Sequence, residues 1–510
     1  MHTAMETLTM KDLSKPENLY DREAEWKDLT RFACAPSVRL RLGLVYGRRR
    51  YGKSYLLRRL VETLGGVYHL ALREEPRPSL NRFTNNLTRQ IQWTPQAPFQ
   101  DWFDALIGAT TALGSSGTQP KVLVIDEYPY LQQNNLELES ALQAVMDEAS
   151  AGELTKKWTA PVSVILCGSA MSAMTQLLSG TSPLRGRAVL DMPLNPFDFR
   201  QSRDYWGIQN PAVAFNVDTV VGGAPGYKDL TSDMGIPRSP AQFTKWITST
   251  VLNPSHVLFR EDEYLLREDP RVTNEATYYS LLQAVADGRS TPAKIASALA
   301  KSANDFSHHL KVMTSAGFVV RHHDLLAVKR PIYRVADPIV RFHHLINRRH
   351  RARLEDRQAA EVWADTSNTY RSQILGPHFE TLCRFWIDKY ASEATLGGET
   401  EQCGSVQIHD RRQRLSFELD VVALKRGAHA ETFKTIQIVG EAKAHRLDPS
   451  ALERLDRLVD HLASRSNIIF SPTAKRILFS LRGFTPTLTT VAKSRSDVEL
   501  VDLQRLYEGE

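Results

Sequence analysis

Three groups of residues in this chain have the types and spacing to do chemistry. The first is Gly47-Arg48-Arg49-Arg50-Tyr51-Gly52-Lys53-Ser54, a GxxxxGK[ST] pattern. An apolar run (Leu42, Leu44, Val45) precedes it and a helical pattern (Leu56, Leu57, Leu60, Val61) follows. The glycines let the backbone curl so that its N–H groups face phosphate oxygens. Lys53 supplies a point charge for the β- and γ-phosphates, and the Ser54 hydroxyl is a ligand for Mg²⁺. The helix N-terminus adds its positive dipole end. The pattern calls for a nucleoside triphosphate, taken as ATP, with Mg²⁺.

The second group is Asp126-Glu127, at the end of Lys121-Val122-Leu123-Val124-Ile125. Four consecutive apolar residues predict a buried parallel strand, and ligands of α/β sheets gather at the carboxyl ends of such strands. Asp126 is placed to hold Mg²⁺ through water, and Glu127 to polarise the water that attacks the γ-phosphate. A further apolar run, Val162 to Gly168, puts Ser169 where a γ-phosphate sensor belongs. Ser182-Pro183-Leu184-Arg185-Gly186-Arg187 follows, and either arginine could serve as a finger or sit on the surface.

The third group lies far downstream. In Leu415-Ser416-Phe417-Glu418-Leu419-Asp420 the apolar residues alternate with Glu418 and Asp420. In Ile436-Gln437-Ile438-Val439-Gly440-Glu441-Ala442-Lys443, Glu441 and Lys443 share a face. A turn near Gly427 makes the two strands an antiparallel hairpin that can bring Asp420 beside Glu441 and Lys443. Two carboxylates and a lysine suit metal-dependent phosphodiester cleavage. Asp420 and Glu441 supply hard oxygen ligands for Mg²⁺, and Lys443 orients or deprotonates water. Glu380, from the helix starting at Gly376-Pro377-His378-Phe379, would reach the same metal shell. His445 is a weaker candidate on that face. A solvent-facing charged hairpin is the bland alternative.

Several elements must position these groups. Residues 1–16 read as a polar tail, and Tyr20 to Phe32 as an amphipathic helix ahead of the loop strand. Val67 to Leu72 reads as a second strand. From Tyr278 the pattern gives a helix, a second helix capped by Thr291, a third from Phe306 to Ala316, and a strand–wing–strand through His322, Lys329, Arg330 and Val335. That is a winged-helix layout. Its third helix carries His308, His309 and Lys311, which could read duplex DNA, while many such modules are plain intramolecular adaptors. The basic run Asn347 to Arg353 either tracks a phosphate backbone or forms a solvated helix face with Glu355 and Asp356.

The chain has 510 residues, 42% hydrophobic and 24% charged, the make-up of a globular protein of about three domains. Its net charge of +6 permits nucleic-acid contact without demanding it. Four scattered cysteines without a CxxC pair fit a reducing cytoplasm and give no sign of zinc. No apolar run is long enough to span a bilayer, so no membrane association is expected.

The motifs GRRRYGKS, VLVIDEYPYL, ILCGSAMSAM, SPLRGR and GGAPGY, in that order, resemble the archaeal-type ATPase family within the STAND branch of AAA-like P-loop ATPases. The resemblance implies that Arg187, with Gly223 and Pro225 of the GxP segment, senses nucleotide state. It also implies nucleotide-controlled switching with slow or conditional turnover. Tyr128 stands where relatives often carry Phe. The D-x20-ExK spacing, with GPHFETL, FELDVVAL and VGEAK, resembles the PD-(D/E)XK nuclease superfamily, a domain many members of that ATPase family carry.

The expected fold class is therefore α/β: a P-loop ATPase parallel sheet (17–195), a helical lid (196–270), a winged helix (271–346), a basic linker (347–370) and a PD-(D/E)XK nuclease-like domain (371–510). The expected function is an ATP-binding switch over a metal-dependent nuclease acting on nucleic acid, in the first place DNA. Defence against foreign DNA is an expectation that comes with the resemblance, while a homo-oligomer is implied only if Arg185 or Arg187 acts across subunits, and either could equally act in cis. A nucleotide-switched DNA-binding protein without cleavage, and an ATPase acting on a protein partner, are the alternatives.

Overall fold

The computed structural model describes residues 13–35, 40–272, 274–326, 331–410, 415–427, 433–465 and 467–510. Most of the expected polar tail and the wing tip Lys329-Arg330 lie outside these residues. The chain divides into two compact units, one of 1–196, 224–226 and 265–273, the other of the remaining residues.

The first unit is built on five parallel strands: β1 (Arg41–Tyr46), β2 (Gly66–Leu70), β3 (Lys121–Asp126), β4 (Val162–Gly168) and β5 (Ala188–Pro193), in the order β2-β3-β4-β1-β5. The apolar runs of β1, β3 and β4 are buried on both faces, as a helix-covered parallel sheet requires. On one face, α1 (Glu23–Ala33) and α2 (Lys53–Leu64) pack Trp26, Leu29, Leu56, Leu57 and Leu60 against Val45, Val124 and Ile165. The opposite face is covered by Phe83, Trp102, Leu106 and Leu142. Because β4 is inserted between β1 and β3, the carboxyl ends of all three strands converge.

The second unit contains the helices expected as a lid, among them Phe199–Trp206, Pro211–Val221 and Pro240–Ser249. Arg200 donates to the Leu506 carbonyl at 2.8 Å and Tyr390 to Asp198 at 2.7 Å, so these helices pack with the end of the chain. Three helices follow, α3 (Glu275–Ala286), α4 (Pro292–Ala298) and α5 (Asn304–Ser315), then an antiparallel pair, β6 (Val319–His323) and β7 (Pro331–Val335). Thr291 caps α4 by accepting from the Lys294 N–H, as its sequence position predicts. The stretch expected as a linker, 347–370, is largely helical and leads into α6 (Gly376–Lys389).

After α6 come β8 (Thr400–Asp410), β9 (Leu415–Lys425), β10 (Lys434–Lys443), α7 (Pro449–Ala463), β11 (Ile468–Ser480) and β12 (Val498–Asp502). They form one mixed sheet in the order β12-β11-β10-β9-β8. β8, β9 and β10 are antiparallel, while β11 returns parallel to β10 after the α7 crossover. Leu419, Val422, Ile436, Val439, Leu455 and Leu478 share its core.

Candidate functional site: a phosphate loop and a carboxylate–lysine cluster

Gly47 to Gly52 form the turn between β1 and α2, and Lys53 and Ser54 open that helix. Gly52 sits at φ +89°, where a side chain is strained, and a Cβ on Gly47 would fall 2.3 Å from the Leu194 carbonyl oxygen. The motif's glycines are thus fixed by backbone shape and by close approach. Lys53, only 4% exposed, donates to the carbonyls of Gly47 (2.7 Å) and Arg48 (3.0 Å) and to Ser169 Oγ (3.1 Å). Ser54 Oγ donates to Asp126 Oδ2 at 2.6 Å.

Ser169 follows β4, and its hydroxyl also donates to Glu127 Oε1 at 3.1 Å. It therefore bridges the loop lysine and the second carboxylate, a position that only the insertion of β4 between β1 and β3 makes possible. Asp126 receives three further groups: the Glu127 N–H (2.9 Å), the Tyr68 hydroxyl and the Cys167 thiol. Burial pushes its pKa up, yet the hydrogen bonds from Cys167, Ser54 and Tyr68 outweigh that and hold it below the ordinary value. Glu127 is shifted the other way, above its ordinary value, by burial first and by the Asp126 charge second. Two adjacent carboxylates are thus pushed apart, one kept ionised and one kept a better base.

Pro225 also reaches this loop. Its Cγ lies 3.7 Å from where a Gly52 Cβ would stand, and the Gly226 N–H donates to the Arg50 carbonyl at 3.1 Å. Arg49 pairs with Glu268 at 2.8 Å. Arg22 donates to the carbonyls of Tyr51 (3.3 Å) and Asn195 (2.8 Å), tying the start of α1 to the loop. Arg187 is placed elsewhere, forked onto Asp147 of the helix Leu138–Ala151, and Arg185 donates to the Gly180 carbonyl at 3.3 Å. Gly223 packs so closely on Phe197 that a Cβ would fall 1.7 Å from its carbonyl oxygen. Sequence patterns did not reveal Tyr68 or Glu268, whose roles depend on strand neighbours and on chain returning from far away.

The second cluster is in the C-terminal sheet. The β9–β10 ladder ends at Val421↔Gly440, and one further step sets Asp420 across from Glu441. There the ladder is replaced by a side chain: Asp420 Oδ2 accepts from the Ala442 N–H (3.0 Å) and from Lys443 Nζ (2.9 Å). Glu441 is 1% exposed, and its Oε1 lies 3.1 Å from an Arg454 nitrogen of α7, off the hydrogen-bonding direction. Burial raises the Glu441 pKa, while Lys443 and Arg454 pull it down less strongly. Lys443 loses basicity to burial but regains more from Asp420 and Glu441 together, so its pKa is raised overall.

Glu380 on α6 is also raised, by burial and then by the Asp420 charge. Its nearest cations are Arg334 of β7 (3.7 Å) and Arg384 (3.9 Å), and Arg384 donates to the Asp420 carbonyl at 2.7 Å. Among the described residues, no three His, Cys, Asp or Glu side chains form a group that could hold a metal ion. Asp420 and Glu441 thus stand as a carboxylate pair, with Glu380 turned toward arginines. His445 is exposed beyond the end of β10.

The β6–β7 hairpin is tied to the same sheet. Asp324 accepts from the Gln407 N–H at 2.7 Å, and Leu325 is buried in the core with Val406 and Leu419. His308 and Lys311 of α5 are exposed, whereas His309 packs on Tyr278 with ring centroids 5.2 Å apart. In the basic run, Arg348 pairs with Asp262 (3.9 Å), Arg349 with Asp287, Arg351 with Glu263 (2.6 Å) and Arg353 with Asp365 (2.9 Å). All four arginines of the run are thus matched by acids.

No helix among the described residues is long and apolar enough to cross a membrane. A family model described as an ATPase domain predominantly from Archaea matches residues 19–206. An uncharacterized protein of Methanocaldococcus jannaschii is 24% identical over 330 residues, 63% of this chain and 67% of its own. The Walker-type ATPase PABY2304 of Pyrococcus abyssi gives a TM-score of 0.47 at 18% identity, covering 65% of this chain and 97% of its own. The Aeropyrum pernix ORC2 protein in its ADPNP–ADP complexes gives 0.46 at 13% identity, covering 70% and 98%. The family match falls on the segment that carries the phosphate loop, its paired carboxylates and the parallel sheet, and residues 19–206 are an archaeal-type ATPase domain.

Proposed function

We propose that this chain is an ATP-controlled, metal-dependent nuclease: the N-terminal domain binds and hydrolyses ATP, and the C-terminal domain cleaves nucleic acid, in the first place DNA. Gly47 to Ser54 wrap the phosphates, with Arg49, Arg50 and Tyr51 forming the outer turn. Lys53 neutralises charge on the phosphates, and Glu127, held by Ser169, accepts a proton from the attacking water. The ionised Asp126 and the Ser54 hydroxyl are the pair that would hold Mg²⁺, which supplies charge stabilisation to the phosphates when bound. Arg187 and Pro225 are the residues proposed to sense nucleotide state.

The observation that carries the nuclease reading is the Asp420 carboxylate receiving both Lys443 Nζ and the Ala442 N–H, with Glu441 on the same strand end. The order helix, three antiparallel strands, crossover helix, parallel strand supports the same reading. Asp420 and the buried, incompletely satisfied Glu441 fit as hard oxygen donors for a divalent cation, which would supply Lewis acidity at the scissile phosphate. Lys443 orients water and offsets charge that develops on phosphate oxygens. Defence against foreign nucleic acid is the setting we favour.

The test is cleavage of plasmid with Mg²⁺ or Mn²⁺, with and without ATP, by the full chain and by Asp420→Ala and Lys443→Ala. Cleavage that survives both substitutions overturns the assignment of the site. A second reading, nucleotide-switched binding of nucleic acid without cleavage, is favoured by the ion pairs that Arg334 and Arg384 make with Glu380. It takes the lead if no substrate is cut while a gel shift depends on ATP.

A further inference from the structure

Beyond the ends of β10 and β11 the second unit holds a cleft of ≈ 630 Å³. Its volume lies within the roughly 300–1,000 Å³ of clefts that bind small ligands. One wall is aromatic. Trp363 meets Tyr370 with ring centroids 4.9 Å apart at 60°, and Phe243 meets Trp363 at 6.1 Å and 69°. The Tyr370 hydroxyl donates to Asn216 Oδ1 at 2.7 Å, which fixes that ring. Phe243 and Tyr370 are buried, while Trp363 is partly open to the cleft.

The rim is basic. Arg371, His445 and Arg482 are exposed at the cleft, and no carboxylate lines it among the described residues. Among the described residues neither Arg371 nor Arg482 makes an ion pair, unlike the arginines of the 348–353 run. The cleft adjoins the carboxylate–lysine cluster through the backbone. His445 lies two residues beyond Lys443, and the Leu481 N–H, one residue before Arg482, donates to the Lys443 carbonyl at 3.1 Å.

We infer that this cleft binds an unpaired nucleotide of a single-stranded nucleic acid, with the base against Trp363 and flanking phosphates on Arg371, Arg482 and His445. The inference rests on the nucleic-acid reading above and adds a substrate class to it. Bases stack on aromatic faces whatever their sequence, and arginine without a carboxylate partner is free to meet phosphate. A single strand fits this combination because a paired base has no free face to offer an enclosed aromatic wall.

The experiment is anisotropy of fluorescein-labelled dT12 with the full-length protein over a salt series. The expected result is that Trp363→Leu weakens binding about five- to a hundredfold while Trp363→Phe stays near wild type. Arg371→Ala/Arg482→Ala should weaken binding and reduce the salt slope by about 1.4, two phosphates at about 0.7 each. Nucleotide binding at the phosphate loop serves as the folding control for every variant. Wild-type binding that none of these substitutions changes, as expected of a cleft that receives a peptide, overturns the inference. So does a wild-type protein that binds no dT12. Mg²⁺-dependent cleavage is read separately with Lys443→Ala. Cleft-sensitive binding without cleavage removes the nuclease reading alone, and cleavage with cleft-insensitive binding removes this inference alone.

Discussion

Lys443 Nζ lies 2.9 Å from Asp420 Oδ2, and the same oxygen takes the N–H of Ala442, the residue before that lysine. One carboxylate therefore closes the strand ladder and sets the lysine. Asp420→Ala removes both partners at once, leaving a half-buried ammonium and a buried N–H. Its expected cost is about 1–3 kcal/mol, read as a shift in urea midpoint. Asp420→Ala and Lys443→Ala should each lower cleavage by about a hundredfold or more. Unchanged cleavage in either would show that the reaction happens elsewhere.

Glu441 is held above the ordinary carboxylate pKa of 4.5 by burial, against the pull of Lys443 and Arg454. The acid form therefore persists to higher pH than in an exposed glutamate, and activity that needs the carboxylate should rise with pH above the usual range. Arg454→Ala removes a cation that stabilises the ionised form, so it should move the acidic limb of the pH–rate profile upward. A limb that moves downward contradicts the assignment.

Two buried histidines make stability sensitive to acid. Burial lowers His69 from 6.5 to about 4 and His344 from 6.5 to about 3. The unfolded chain binds these protons from pH 6.5 downward while the folded chain does not, so stability falls as pH drops from 6.5 through the folded values. For His69 the full loss is up to about 3 kcal/mol. Urea midpoints at successive pH values should fall across this window, and His69→Gln should flatten the fall. A wild-type midpoint constant from pH 7 to 4.5 would sink this prediction.

How much of this was legible in the sequence depended on how local each constraint is. The phosphate loop was readable because Gly52 answers to backbone shape within one turn, and Lys53 and Ser54 to their positions on the following helix, whereas Gly47 answers to the distant Leu194 carbonyl. The apolar runs of β1, β3 and β4 announced buried parallel strands, but not the order that places Ser169 between Lys53 and Glu127. β8 passed unnoticed because Thr400–Asp410 carries few apolar residues besides Val406 and Ile408. Asp420, Glu441 and Lys443 followed from strand alternation. Arg454, Arg334 and Arg384 did not, since each comes from a separate element and only the tertiary fold brings it to a carboxylate.

At the phosphate loop, Lys53→Ala should abolish nucleotide binding, because it removes the buried ammonium that the loop carbonyls and Ser169 hold in place for the phosphates. Glu127→Gln keeps the shape and loses the base, so it should retain ATP with turnover reduced about a hundredfold or more. Tyr68→Phe removes one donor from Asp126, which raises the Asp126 pKa and weakens Mg²⁺-dependent nucleotide binding by about 1 kcal/mol. Titration of each variant with a fluorescent ATP analogue, followed by phosphate release, separates these outcomes. Unchanged turnover in Glu127→Gln would remove it as the base.

In the proposed function one nucleotide site governs one nuclease site. Its most direct measurement is the rate of plasmid cleavage in Mg²⁺ as ATP is varied, for wild type, Lys53→Ala and Lys443→Ala. The expected result is cleavage by wild type that changes with ATP, cleavage by Lys53→Ala that no longer responds to ATP, and cleavage by Lys443→Ala lowered about a hundredfold or more. Wild-type and Lys53→Ala rates that respond identically to ATP, or cleavage unchanged in Lys443→Ala, would contradict it.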